Sequence, residues 1–472
     1  MVILTAFCAT VALASTTDQT ELTIYNQGFG LVKEVRQVRL RQGRQSIAIE
    51  DVASRIDPTS VSFHSLGSKD AFSILEQNYQ YDLISPQAIL NKSVGQRIRF
   101  IRTLGDRRDV LTGTLLSAPT AIVATAEGSS QQTYNGMVIR TDDNRIVLDP
   151  TGEVEVSSVP AGLISRPTLL WDLDARQSGE DSVELSYISQ GLNWSADYVV
   201  TIDGKGKGDI QGWVTLNNSS GATWENAKLK LLAGDVHTMQ PQNRVVTTAL
   251  ALDASKTKNE SGFVEETLFE YHLYTLERPA TVRNNEAKQL SLLEGHDVPI
   301  TKKLVVDSIG SSYYPGEGEV GTGDVKPQVR LEFVNDKASG LGMPLPKGKV
   351  RVYQKDQYGS VQLLGEDQID HTPRNEHLSL VVGRSFDVVS SRKRTNFTRL
   401  SDRAVRETFQ IEVRNRKEVP ETVFVLERHW EDWKITKKSQ DFTKLDSNTA
   451  QFTVSLKPNE VKKIVYTVET KW

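Results

Sequence analysis

Apolar and polar residues alternate with a period of two along most of the chain, most cleanly between Asp181 and His237. The run Leu185 to Val200 reads as two strands joined at Gly191 and Asn193, and the run Gly212 to Gly234 repeats the pattern around a break of Asn, Ser and Gly. Pairs with the same spacing precede them, Leu22/Ile24, Ile47/Ile49 and Val61/Phe63. Others follow: Val329 to Phe333, Val350/Val352, Phe409/Ile411/Val413, Phe452/Val454/Leu456 and Ile464/Tyr466/Val468. Successive side chains of a strand point to opposite faces, so this period predicts half-buried strands throughout and an all-β, multidomain chain.

One helix interrupts the pattern. In Ser85-Pro86-Gln-Ala-Ile-Leu-Asn91 the serine can accept from the freed N–H groups of a first turn and the proline suits that turn, so a short helix ending by Gly95 is expected. Between Gly95 and Pro160 the strands become short and close: Arg97–Ile101, Leu111–Leu116, Thr120–Ala124, Gly136–Ile139, Asn144–Leu148 and Gly152–Val156. A small closed barrel of the SH3-like or Sm-like kind is the expectation there, because closure removes the edges of so small a sheet.

The chain divides accordingly into a leader over 1–14, an N-terminal β domain over 15–84 and the barrel-like segment over 85–165. A central β-sandwich region over 166–385 and a C-terminal immunoglobulin-like sandwich over 386–472, without its disulfide, complete it. The stretch 238–261 is polar and irregular and predicts a long surface loop open to proteolysis. The glycine-rich stretch 308–324 predicts a flexible connection, since it does not lie between a strand and a helix as a phosphate cradle would.

A length of 472 residues, at roughly 150 per domain, suggests about three domains. The formal net charge of -4 gives no basic footprint for nucleic acid. Val2 to Ala14 is uncharged and apolar, ends in Ala12-Leu13-Ala14, and is too short to span a membrane. It reads as a secretory leader cleaved after Ala14. The basic residues that normally open a leader are absent, so either the start lies upstream or the stretch is an ordinary buried strand. Cys8, the one cysteine, lies inside the leader, and Thr5-Ala6-Phe7 before it puts a bulky ring where lipid attachment needs a small residue. The mature chain then has no thiol, hence no disulfide, thiolate metal site or cysteine nucleophile. No later apolar run approaches the ~20 residues of a spanning helix. The expected localisation is periplasmic or extracellular.

Motifs that carry chemistry are few. None of the histidines His64, His237, His272, His296, His371, His377 and His429 forms a close ligand pair, so no metal or cofactor is expected. Asp172, Asp174, Gly179 and Asp181 hint at a calcium loop, but Arg176 and the missing closing Glu break its register. No G-x-S-x-G occurs. Asn193, Asn218 and Asn396 open glycosylation triplets, read as chance. Trp194, Trp213 and Trp224 are expected to fill the core of an alternating sheet, or, on one outward face, to stack against a ligand or partner. Asp235/His237, His272 and Asp370/His371 could be brought together by strands.

Several long phrases carry a resemblance: Ser186 to Tyr198, Leu229 to His237, Leu268-Phe-Glu-Tyr-His-Leu-Tyr274, Gly340-Leu-Gly-Met-Pro-Leu-Pro346 and Gly365 to Pro373. From roughly Gly162 onward the chain resembles the bacterial proteins that carry domain of unknown function 4139, the mucoidy-inhibitor-like group. Relatives often carry an N-terminal coiled coil, which the barrel-like segment replaces here. The resemblance implies an all-β fold and export, and brings no established reaction or catalytic residues. The expected function is a binding or structural module of the cell envelope, with a protein partner or self-association, no nucleic acid and no membrane span. The alternative is a hydrolase acting on envelope polymers at Asp235, His237 and His371.

Overall fold

The computed structural model describes residues 12–13, 17–104, 107–123, 132–150, 152–237, 257–258, 262–308 and 322–472. Among them the strands pair into seven sheets, and the single α-helix is Pro86–Lys92, whose cap Ser85 accepts from the backbone N–H of Ala88 at 3.1 Å. No helix among the described residues is long and apolar enough to cross a membrane.

The largest sheet is organised around Phe29–Leu40 and Gly179–Gln190, which pair antiparallel along their whole length, from Phe29 opposite Gln190 to Leu40 opposite Gly179. Thr17–Tyr25 lies beside the first, then Trp224–Ala233 in parallel with it, then Tyr271–Leu276 and Phe263–Leu268. A five-stranded sheet is made of Glu286–Pro299, Lys207–Asn218, Leu192–Ile202, Gly348–Lys355 and Val361–Ile369, in that order. Alternation gives each sheet one apolar face, and Val32, Leu185, Tyr187, Leu229 and Leu231 from the first share one core with Trp194, Tyr198, Val200, Val214 and Leu216 from the second.

Strands from the N-terminal region, expected as a β domain over 15–84, belong to that same core: Leu22, Ile24, Ile47, Ile49 and Phe63 lie in one cluster with Trp171 and Trp194. A four-stranded sheet ties them in, with Gly43–Glu50 and Phe72–Gln80 on either side of Thr168–Ala175. Because Phe72–Gln80 and Thr168–Ala175 are hydrogen-bonded neighbours, the residues between them form an insertion. Its two ends are stapled where Ile84 donates to the Ile164 carbonyl at 2.9 Å and Ile164 to that of Asp82 at 3.0 Å.

The insertion has a separate small core of Ile98, Phe100, Leu115, Met137 and Ile139, onto which the helix lays Leu90. Its main sheet runs Ile146–Leu148, Val138–Thr141, Arg107–Ser117, Arg97–Leu104 and Glu153–Glu155. The barrel closure expected here is not found: the two outermost strands do not pair with each other among the described residues. Each is three residues long, and such short edges are protected without closure.

The C-terminal core joins Phe409, Ile411, Val413, Phe452, Val454 and Tyr466 with Leu304 and Val306. The last two come from Thr301–Asp307, which lies between Gln328–Val334 and Glu421–Arg428 in a six-stranded sheet. This core encloses an ion pair. Arg392 meets Glu427 at 2.9 Å, Tyr466 donates its hydroxyl to the same carboxylate, and the Arg392 guanidinium lies 3.8 Å from the Phe409 ring centre. His429 packs beside them against Trp433, with ring centres 4.6 Å apart. The expected loops at 238–261 and 308–324 lie for the most part outside the described residues, as do Cys8 and most of the leader.

Candidate functional site

The tryptophans do not make one outward face. Trp194 and Trp224 are 2% and 3% exposed and sit in the shared core, where the Trp194 indole donates to the Leu232 carbonyl at 3.2 Å. Trp213 is half-buried on the opposite face of its sheet, across from Asp197. Parity decides this: the inward positions of Lys207–Asn218 are the even ones, Ile210, Val214 and Leu216.

A polar corner forms on the hairpin of Phe263–Leu268 and Tyr271–Leu276. His272, on Tyr271–Leu276, is paired with Ala233 on one side and Thr267 on the other. Glu265 faces inward from Phe263–Leu268 and is 1% exposed. Its Oε1 lies 2.8 Å from His272 Nδ1, and its Oε2 accepts from Arg374 Nη2 at 2.5 Å. Burial raises the pKa of Glu265, but the hydrogen bonds from His272 and Arg374 outweigh it and hold the carboxyl below its ordinary value.

The segment carrying Arg374 is fastened to the Gly340–Pro346 bend. Leu345 and Thr372 exchange backbone hydrogen bonds of 2.8 and 2.9 Å. Buried Asn335 donates to the carbonyls of Met343 and Pro373 at 2.8 and 2.9 Å and accepts from the Gly342 N–H at 3.1 Å. Tyr198 and Tyr274 rise from the core to donate to the carbonyls of Pro346 and Pro344 at 2.8 and 3.0 Å. Gly342 has φ +92, and a Cβ there would stand 2.8 Å from the Lys337 backbone nitrogen, so only glycine makes this bend without displacing its neighbour.

His371 ends the same segment. Its Nδ1 accepts from the Lys347 N–H at 3.1 Å, and Asp370 meets the Lys347 ammonium at 3.2 Å. His371 stays exposed, and partial loss of hydration beside its neighbours lowers the ring's pKa. Asp235 and Asp370 pull against the shift, while Lys347 and His272 add to it. Asp235, His272 and Asp370 are thus each within electrostatic reach of His371, and His237 is exposed two residues beyond Asp235. Among the described residues no group of three or more His, Cys, Asp or Glu side chains is placed to hold a metal ion. Asp172 instead accepts from the Ser46 hydroxyl, and Asp181 from that of Ser65.

The corner can orient a histidine. The hydrogen bond between Nδ1 and a buried carboxylate fixes the orientation of the His272 ring, as in a positioned general base or a ligand-binding imidazole. The sequence reading missed Glu265 and Arg374. Parity with buried Phe263 marks Glu265 as an inward carboxylate, whereas Arg374 lies in a loop that no period describes. No protein-family model matches the chain, and no curated protein matches it.

Proposed function

We propose that this chain is an exported protein of the cell envelope, periplasmic or extracellular, that works as a binding or structural module and takes a protein partner or a second copy on its sheet edges. The phrases that resemble the mucoidy-inhibitor-like group support export. The disulfide-free C-terminal sandwich supports an immunoglobulin-like module that binds through strands and loops.

The observation that carries the reading is the strand Phe72–Gln80. Among the described residues it pairs only with Thr168–Ala175, and every side chain from Ser73 to Asn78 is exposed, including Ile74 at 41% and Leu75 at 48%. Edges are ordinarily blunted by lysine, proline, shortness or a bulge; this one is nine residues long with Glu76 as its only charge, and its one bulge lies at Leu75, between Ile74 opposite Leu173 and Glu76 opposite Asp172. Such a strand can receive a partner's strand by main-chain hydrogen bonds. Leu75→Lys, at an exposed position, should leave folding intact and abolish cross-linked capture of the envelope partner. Undiminished capture would refute the edge reading.

The Glu265–His272 pair favours a second reading, a hydrolase of envelope polymers using the corner of Asp235, His237 and His371. Turnover of a peptide, ester or glycan that disappears in His272→Ala or His371→Ala, with folding unchanged, would establish it in place of the first.

A further inference from the structure

The sheet that carries Phe72–Gln80 has a second edge, and that edge is covered at Ile47 and Ala48. Ala12–Leu13 pairs in parallel with Gly43–Glu50, Ala12 opposite Ile47 and Leu13 opposite Ala48. Both residues belong to the apolar stretch that ends in Ala12-Leu13-Ala14, the cleavage site of the export reading. Cleavage after Ala14 therefore removes the strand that lies on this side of Gly43–Glu50, since its only other pairing among the described residues is with Thr168–Ala175.

Gly43–Glu50 itself stays in place after such a cut. It is paired with Thr168–Ala175 from Gly43 opposite Ala175 to Glu50 opposite Thr168, and Ile47 and Ile49 are anchored in the main core. The cut also spares Thr17–Tyr25, which belongs to the large sheet and is held there by Phe29–Leu40 and Trp224–Ala233. Processing thus leaves a rigid strand with a row of free main-chain groups.

We propose that in the mature chain this edge is a docking site for an extended apolar segment of a partner protein, bound parallel to Gly43–Glu50 in the register that Ala12–Leu13 holds. The proposal rests on the reading of an exported protein that works through sheet edges, and it specifies the partner. Two copies related by a two-fold axis meet edge to edge antiparallel, so the parallel direction calls for a strand from a different protein. From Gln45 to Ile49 the edge is uncharged, with Arg44 before it and Glu50 after it. A segment that fits has an uncharged apolar centre, an acidic residue opposite Arg44 and a basic residue opposite Glu50.

The test uses hydrogen exchange of the amides at 45–49 in the mature chain and in an uncleaved Ala14→Phe chain, with N-terminal sequencing of both. The probe is a synthetic peptide of residues 9–16. The outward amides should exchange about tenfold or more faster in the mature chain and slow again when the peptide is added. A peptide with Ala9→Asp and Ser15→Lys should bind more tightly, and one with Ala12→Pro should fail. Equal exchange in the two chains, or no protection by any peptide, overturns the proposal. Protection that rises with protein concentration alone assigns the edge to a second copy and also overturns it. An intact Met1 on the natural protein overturns the export reading, while peptide protection of a chain begun at Ser15 still reports on the edge by itself.

Discussion

Glu265 and His272, seven residues apart on the two arms of one hairpin, share a hydrogen bond of 2.8 Å between a buried carboxylate and a ring nitrogen at the protein surface. Arg374, from a distant loop, completes the carboxylate's partners at 2.5 Å. The pairing of Phe263–Leu268 with Tyr271–Leu276 puts residues 265 and 272 diagonally opposite on one face, so strand register brings the two side chains together.

Removing one partner of a buried carboxylate leaves its desolvation uncompensated. Arg374→Ala should therefore destabilise the fold by about 3 kcal/mol, the lower end for a broken buried pair because Arg374 is partly solvated and His272 remains as a partner of the carboxylate. Glu265 is held below its ordinary value of 4.5, so its stabilisation is fully present above that pH and is lost as pH falls through the lowered folded value. Denaturant titrations of wild type and Glu265→Gln should differ most near neutral pH and converge in acid. A constant difference would mean that the charge does not matter.

Trp224→Ala should cost about 3–5 kcal/mol, as truncations of buried aromatics do, because the ring fills the main core. Trp213→Ala, on the outer face, should cost about 1 kcal/mol. Denaturation midpoints of the two variants decide it, and equal losses would contradict the parity assignment.

Burial in the C-terminal core, with Arg392 adding to it, drives the His429 pKa down to about 3. The imidazole is neutral when folded and takes up a proton on unfolding below about 6.5, so stability should fall from that pH toward 3 by up to about 1.4 kcal/mol per unit. His429→Leu should flatten this part of the profile. An unchanged slope would show that other groups control the acid limb.

Extensive chelation should leave Tm unchanged, given that no group of three or more ligating side chains occurs among the described residues. A drop in Tm reversed by one added ion would reveal a structural metal.

The strands were legible because the period of two is written into nearly every one, and the helix because Ser85 and Pro86 state its start. Long-range pairing was not. Nothing in the local pattern tells that Phe29–Leu40 pairs with Gly179–Gln190, so the N-terminal strands looked like a domain of their own. Of the corner, Asp235, His272, Asp370 and His371 were visible as polar residues that strands could bring together. Glu265 was hidden behind the assumption that a strand's inward positions are apolar, and Arg374 reaches the site through a bend set by Asn335, which is tertiary information.

The central claim is that the protein works through its sheet edges, and its most direct test is photo-cross-linking from a probe placed at residue 78 on the mature protein in its own envelope. A discrete cross-linked protein, lost in Leu75→Lys while the thermal melt is unchanged, is the predicted result. Cross-linking equally strong in Leu75→Lys, or hydrolysis of an envelope polymer that depends on His272 while no partner is captured, would contradict it.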